Sequence, residues 1–169
     1  FHIMSISPRP TTADRLDGTC LLCGDVYPQS EMGDHLSRCL GRAGRGADEH
    51  GEPRHLQIRI EAQFSPHWLF VVAPASGTLA GLDTFLRQVW LECCGHLSEF
   101  TIDGTRYAVD ADEFCEFGPP RESMVVPLGE VLAEGTRFTH VYDFGTATRL
   151  TLTCLGEVAP LDGTDATDT

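Results

Sequence analysis

The chain has 169 residues and a formal charge of -13, from 25 acidic residues against 12 basic ones that are all arginine. Such an acidic chain is a poor general binder of nucleic acid, because non-specific affinity comes from neutralising phosphates. Its hydrophobic content of 41% excludes wholesale disorder. No apolar run approaches the roughly 18 residues of a membrane-spanning helix, and the start lacks a signal-peptide layout, so we expect a cytoplasmic protein that binds no membrane.

The composition divides the chain into five parts. The first three residues precede Met4 and are typical of a cloning remnant, and the segment after them is rich in Pro, Thr and Asp. The five parts are a disordered or tag-derived start (1–17), a compact unit (18–40), a flexible Gly-rich linker (41–54), a main domain (55–158) and an acidic tail (159–169).

The compact unit carries the spacing C-x2-C-x11-H-x3-C. Two thiolates three residues apart can hold one ion from a tight turn, which Gly24 helps to close. Ser30 is placed to cap a helix that carries His35 and Cys39 at i and i+4, on one side. A unit as short as 18–40 cannot bury a self-sufficient core. Metal ligation would therefore supply the missing stability. Four ligands close the coordination sphere, which predicts one structural Zn²⁺ held by Cys20, Cys23, His35 and Cys39.

Two other interpretations of the motif stay open. One is a set of reduced cysteines beside a surface histidine. The other is a redox-active C-x-x-C, which lacks the βαβ context that usually accompanies it. Seven cysteines spread this unevenly do not indicate a secreted disulfide scaffold.

Cys20-Leu-Leu-Cys23 with His35-Leu-Ser-Arg-Cys39-Leu40 resembles the ββα ubiquitin-binding zinc fingers of DNA-repair adaptor proteins. The resemblance covers about twenty residues and implies a small protein-binding finger with these metal ligands. Ser37 stands where that family has the acidic residue that contacts ubiquitin.

The helix of the finger offers two candidate binding surfaces. We expect a partner protein to contact Glu31, Asp34 and Arg38. Alternatively, Arg38 together with Arg42 and Arg45 would hold a few phosphates of a nucleic acid. Cations near a helix C-terminus are also favourable without any ligand.

The main domain is predicted to be a sheet with one helix. Alternating apolar and polar residues at 56–62 predict a half-buried strand. Thr78 is placed to cap a helix whose apolar positions recur on one face as far as Cys93. Asp103-Gly104 predicts a hairpin turn. Further predicted elements are strands at 68–73, 97–102, 106–109, 137–144 and 148–155, and a short strand with a helical turn at 124–132. The fold class is therefore α+β, a mainly antiparallel sheet with one principal helix, plus the N-terminal ββα-type C2HC zinc finger.

The segments around His96-Leu-Ser-Glu-Phe100, Asp103-Gly104 and Tyr142-Asp143-Phe144-Gly145 resemble, in order and spacing, the plasmid pRiA4b ORF-3-like family. This family is also called the insertion-element passenger TnpR-like fold, and the resemblance spans about residues 55–158. It implies a prokaryotic protein whose biochemical role is undefined. It also implies a family-motif site at His96, Tyr142 and Asp143, although this chain departs from the family at Ser98 and at 146–148.

Three functions follow from these patterns. We favour a zinc-binding, non-enzymatic adaptor in which the finger binds another protein. The alternative is a nucleic-acid-associated protein linked to mobile elements or DNA repair. An enzyme would need His96, His140 and Asp143 to converge in one pocket. The acidic residues at 110–116 are typical of a solvated loop, because they lack the spacing of a calcium loop.

Overall fold

The structure, a computed structural model, describes residues 1–10, 16–43, 54–91, 95–109 and 120–158. In chain order its strands are β1 (His2–Pro10), β2 (Leu16–Cys20), β3 (Val26–Pro28), β4 (His55–Ala62), β5 (Trp68–Pro74), β6 (Ser98–Ile102), β7 (Thr105–Ala108), β8 (Glu122–Ser123), β9 (Arg137–Tyr142) and β10 (Thr148–Val158). The helices are α1 (Gln29–Ala43), α2 (Leu79–Val89) and α3 (Leu128–Val131).

Within these residues the strands form a single sheet in the order β3-β2-β1-β5-β4-β10-β9-β6-β7-β8. Neighbouring strands are antiparallel except β7 and β8, which are parallel. The prediction of a chain dominated by antiparallel sheet with few helices is confirmed. The predicted hairpin is also present, since Asp103-Gly104 joins β6 to β7.

Helix α2 covers one face of the sheet. It begins after Thr78, whose Oγ1 accepts a hydrogen bond from the Gly81 N–H at 3.1 Å. Its residues Leu79, Leu82 and Leu86 are fully buried in the main core cluster. The helix ends at Val89, whereas the predicted helix continued to Cys93, which lies outside the described residues.

Strand β5 is buried on both faces. Leu69, Val71 and Ala73 belong to the main core cluster beneath α2. Their neighbours point the other way, because successive side chains of a strand alternate between the faces of a sheet. Those neighbours, Trp68, Phe70 and Val72, belong to a second core cluster.

Helix α1 covers this second face. Its residues Met32, Leu36 and Leu40 recur every four positions and pack in the cluster with Trp68, Phe70 and Val72. Polar contacts add to the apolar ones. Gln57 of β4 accepts a hydrogen bond from Ser37 Oγ at 3.1 Å, and Gln29 Nε2 donates to Glu61 Oε1 at 2.7 Å. The finger helix is therefore docked on the sheet of the main domain.

The structure differs from the prediction of a disordered or tag-derived start (1–17) at residues 1–10 and 16–17, while residues 11–15 lie outside the described residues. Instead of a disordered start, His2–Pro10 is a strand that pairs with β2 on one side and β5 on the other. Met4 is buried in the second core cluster, and the Phe1 ring stacks on Phe85 of α2 with centroids 5.5 Å apart. The apolar contacts and the two hydrogen-bonded edges outweigh the weak local preference of a Pro-rich segment.

Strand β1 also joins the predicted finger to the predicted main domain. Strands β2 and β3 of the finger extend the sheet of the main domain through β1. Helix α1 runs on to Ala43, while residues 44–53 of the predicted linker and the tail from 159 lie outside the described residues. No helix in the described part of the chain is long and apolar enough to cross a membrane.

Candidate metal centre

A tight turn after β2 brings Cys20 and Cys23 together. The Gly24 N–H donates to the Cys20 carbonyl at 2.8 Å, and the Cys20 N–H donates to the Asp25 carbonyl at 2.8 Å. Gly24 has a φ of 83°, a left-handed conformation that favours glycine. The backbone therefore holds both thiols on one short loop, as the C-x-x-C spacing predicts.

Helix α1 supplies the other two donors, one turn apart. It begins at Gln29, so Ser30 lies inside its first turn and is not the predicted cap. The ring of His35 stacks on Tyr27, with centroids 4.0 Å apart and planes at 25°, and its Nε2 lies 3.4 Å from Cys23 Sγ. One donor atom from each of Cys20, Cys23, His35 and Cys39 lies within 4.8 Å of all the others, so the four residues lie close enough to hold a metal ion.

The surroundings of the four donors fit a soft divalent cation. Cys20 is fully buried, His35 is nearly so, and Cys39 is half-buried. Burial, and then the nearby charge of Cys20, raise the pKa of the Cys39 thiol to about 11. Thiolates packed this closely repel one another unless a cation lies between them. Three sulfur donors and one imidazole form a donor set that suits a transition-metal ion better than calcium or magnesium.

The predicted partner surface lies on the outer side of α1. Glu31, Asp34 and Arg38 are exposed, opposite the buried residues that face the sheet. Ser37 contacts the protein's own Gln57. The side chain of Arg42 and the whole of Arg45 lie outside the described part, so the arginine cluster has no structural description.

The three residues of the site implied by the family resemblance lie together, at the ends of neighbouring strands. His96, Tyr142 and Asp143 line a cavity of about 390 Å³, with Trp90, Leu91, Thr146 and Thr148 completing its lining. His96 Nδ1 is 3.8 Å from Asp143 Oδ1, and the rings of His96 and Tyr142 meet edge to face with centroids 5.9 Å apart.

His140 does not join this cavity. Its side chain is fully buried and its Nε2 lies 2.7 Å from Oδ1 of Asp83 on α2. The three-residue convergence that the enzyme interpretation requires is therefore absent from the described structure. The acidic residues at 110–116 lie outside the described residues, so their interpretation stays a prediction.

Sequence reasoning missed two networks of charged side chains, one around α2 and one on β6. Asp83 accepts from Arg87 Nε at 2.7 Å, and Arg87 Nη2 donates to Ser98 Oγ at 2.7 Å. On β6, Glu99 accepts hydrogen bonds from Arg106 Nε at 2.7 Å and Arg121 Nε at 3.0 Å. The i, i+4 spacing of Asp83 and Arg87 was the available signal, since such pairs face each other on a helix.

Comparison with known proteins supports the fold alone. No family model matches the chain, and no curated protein matches it. Among solved structures, the chain is similar to a protein of unknown function from Methanosarcina mazei Go1, with a TM-score of 0.58 and 16% sequence identity. The match covers 68% of this chain and 67% of that chain.

Proposed function

We propose that the protein is a non-enzymatic adaptor whose finger binds one structural Zn²⁺ and presents a surface to another protein. The observation that carries the proposal is the convergence of four donors, three thiols and one imidazole, within 4.8 Å. A closed set of four such ligands leaves no open position for a substrate, which is typical of structural zinc.

The position of the four ligands supports a stabilising role for the ion. Two ligands lie on the turn after β2 and two on α1, so one ion would join the turn to the helix. Helix α1 in turn covers the second core cluster. The bound metal would therefore hold in place the helix that shields Phe70 and Val72 from water.

The outer side of α1 supports the choice of a protein partner. Glu31, Asp34 and Arg38 recur at i, i+3 and i+7, so they lie along one exposed stripe of the helix. The resemblance to ubiquitin-binding fingers supports protein binding, but the position of Ser37 against Gln57 argues for a partner other than ubiquitin. For the main domain, we propose membership of the pRiA4b ORF-3-like family on the order of its motifs.

Metal analysis of the purified full chain tests the zinc site. We expect one zinc per chain by mass spectrometry of the metal, and loss of that zinc in Cys39→Ala. Cys154→Ala is the matched control, because Cys154 is a buried free thiol outside the four-residue cluster. Substitution by Co²⁺ should give the visible absorption of a tetrahedral sulfur-rich site. Absence of metal from the wild-type protein, or equal loss in both variants, would contradict the proposal.

Affinity capture tests the partner surface. The double variant Asp34→Arg/Arg38→Glu reverses both charges without changing the net charge, and Glu130→Arg/Arg137→Glu makes the same exchange elsewhere on exposed residues. We expect the first variant to lose a protein that the wild type and the control retain after nuclease treatment. Partners that disappear with nuclease would favour the nucleic-acid alternative.

A further inference from the structure

The cavity lined by His96, Tyr142 and Asp143 lies where three strands begin or end. Strand β9 ends at Tyr142, β10 begins at Thr148, and β6 begins at Ser98. The end of α2 closes the cavity with Trp90. Its volume of about 390 Å³ lies within the range of small-ligand pockets.

The carboxylate of Asp143 gives the cavity a negative charge. A hydrogen bond from the Gly145 N–H to Oδ1 at 3.0 Å holds the pKa of Asp143 below its usual value. The ion pair that the structure gives this carboxylate is with His96 at 3.8 Å, and His96 carries a charge only when protonated. The backbone and the side chain of Thr146 also donate hydrogen bonds to this carboxylate, so a permanent cation would add to these contacts and to the one with His96.

Trp90 and Tyr142 give the cavity an aromatic wall, of which Tyr142 is only 4% exposed. The faces of Trp and Tyr rings attract positive charge. The Tyr142 ring already carries one guanidinium, since the Cζ of Arg87 lies 4.7 Å from its centroid. Asp83 neutralises that guanidinium through a 2.7 Å ion pair, so Arg87 presents little net charge to a second cation.

Exposed apolar side chains flank the cavity. Leu97 and Phe144 adjoin lining residues in the sequence, and both are about half exposed or more. The Asp143 N–H donates to the Leu97 carbonyl at 3.0 Å, so the two segments lie side by side. A free amine would leave these side chains in water, whereas the residues on either side of a basic residue in a peptide would cover them.

We propose that this cavity binds an arginine or lysine side chain of a partner protein, with its cationic group against Asp143 and its neighbours against Leu97 and Phe144. The chain's net charge of -13 adds long-range attraction for a basic partner and opposes self-association. The inference rests on the proposed adaptor role in one respect, which is that the cation belongs to a protein. It requires neither zinc nor the outer surface of α1.

Peptide titration followed by NMR tests the proposal on the full chain. The probes are acetyl-Leu-Arg-Leu-amide, acetyl-Leu-Lys-Leu-amide, the neutral citrulline analogue acetyl-Leu-Cit-Leu-amide, and arginine amide as a free cation. We expect saturable shifts of the His96 and Gly145 amides with the arginine or lysine peptide, at least about threefold weaker binding for the citrulline peptide, and weaker binding still for arginine amide.

Two matched variants assign the effect to the cavity. Asp143 and Asp103 both lie in turns with positive φ, 56° and 47°, a conformation that asparagine also tolerates. Asp143→Asn should weaken binding of the basic peptides about threefold or more, while Asp103→Asn, which removes the same charge at the opposite end of β6, should not.

Three results would show that the cavity does not bind a basic side chain. These are no saturable shift up to about 10 mM peptide, equal binding of the citrulline peptide, or equal loss in both variants. Tighter binding of arginine amide than of the peptides would assign the cavity to a small molecule and also reject a protein source. Because the zinc site is tested by metal content and the α1 surface by affinity capture, failure here is distinct from failure of the proposed adaptor role.

Discussion

Asp83 lies on the buried face of α2, within hydrogen-bond distance of both His140 and Arg87. Burial would raise the pKa of its carboxyl, but hydrogen bonds with His140, Arg87 and Ser98 outweigh burial and lower the pKa. Because the folded pKa lies below the unfolded one, the stabilisation is present in full above about pH 4 and is lost as the pH falls through the folded pKa.

Replacing Asp83 by Asn should lower the free energy of unfolding at pH 7 by about 3 kcal/mol, because the substitution leaves Arg87 without its buried anion. Urea denaturation at pH 7 measures the change. Asp34→Asn, an exposed position on α1, should change the free energy by less than about 0.5 kcal/mol.

The same two variants test how the free energy of unfolding depends on pH through Asp83. Below about pH 4 the wild type and Asp34→Asn should lose stability more steeply than Asp83→Asn, which has no such carboxyl to protonate. Parallel losses in all three proteins would show that Asp83 is not the group responsible.

Gly18 of β2 lies close against Trp68 of β5. A Cβ atom at Gly18 would overlap the ring of Trp68 and lie 2.8 Å from Ser5 Oγ. A Cβ at Gly41, on the exposed side of α1, would have no neighbour within 4 Å.

Gly18→Ala should therefore destabilise the protein by about 1 to 3 kcal/mol through overpacking. Gly41→Ala should be neutral or stabilise by up to about 1 kcal/mol, because alanine is the better helix former. Thermal denaturation of the two variants compares the same added methyl group. A neutral Gly18→Ala would mean that β2 does not lie close against Trp68.

At the scale of elements, β5 is the strand that the two halves of the protein share. Val71 and Val72 are both fully buried, but Val71 lies in the main core cluster and Val72 in the second cluster beneath α1. The two side chains are chemically identical, so they compare the two faces directly.

Val71→Ala and Val72→Ala should each lower the free energy of unfolding by about 2 kcal/mol, because each deletes two buried methyl groups. Chemical denaturation measures both. A loss below about 0.5 kcal/mol for Val72→Ala alone would indicate that the finger rests loosely on the sheet.

The sequence predicted those elements whose signal lies within one short segment of the chain. The alternation in β4, the apolar face of α2 and the Asp103-Gly104 turn each lie within one short segment. The continuous apolar run of β5 was a further signal, since strands buried on both faces lack alternation. Strand β1 had no such signal, because its Pro-rich segment is held by pairing with β5, which lies about sixty residues further along the chain.

The polar side of β4 shows why the docking of the finger was not predicted. Gln57 occupies a position that alternation assigns to solvent, yet it is 1% exposed and bonded to α1. A period of two identifies a polar face but does not distinguish water from the polar groups of another element.

The candidate sites show the same contrast between residues that are close in the sequence and residues that meet only in the fold. The four residues of the candidate metal centre lie in a sequence of twenty residues, with two on one turn and two at helical spacing, so their spacing alone predicted that they would lie close together. Asp83 and His140 are 57 residues apart and meet only through the packing of α2 on β9. The cavity at Asp143 likewise depends on Trp90, which lies on a different element.

At the scale of the whole molecule, the shared sheet predicts one cooperative unit. The fluorescence of the two tryptophans can follow the unfolding of the two halves separately. Trp68 lies in the second core cluster, whereas Trp90 packs against the main one. The flexible linker predicted from the sequence would let the finger and the main domain unfold separately. The shared strand β5 predicts instead that both halves unfold together.

Single-tryptophan variants test this. Trp90→Phe and Trp68→Phe should show fluorescence transitions at the same temperature as the circular dichroism of the same variant, and a zinc chelator should lower all of them together. Two separate transitions would restore the interpretation of finger and main domain as independent units.

The burial of β5 on both faces has a consequence for the life of the protein in a cell. If the finger binds a metal ion as proposed, a chain that loses this ion and releases α1 would expose Trp68, Phe70 and Val72 on a strand of strongly apolar sequence. Such segments are recognised by chaperones and proteases and promote aggregation. Metal supply would then set how much of the protein survives, so that starvation for the ion would lower its abundance before any binding partner was affected.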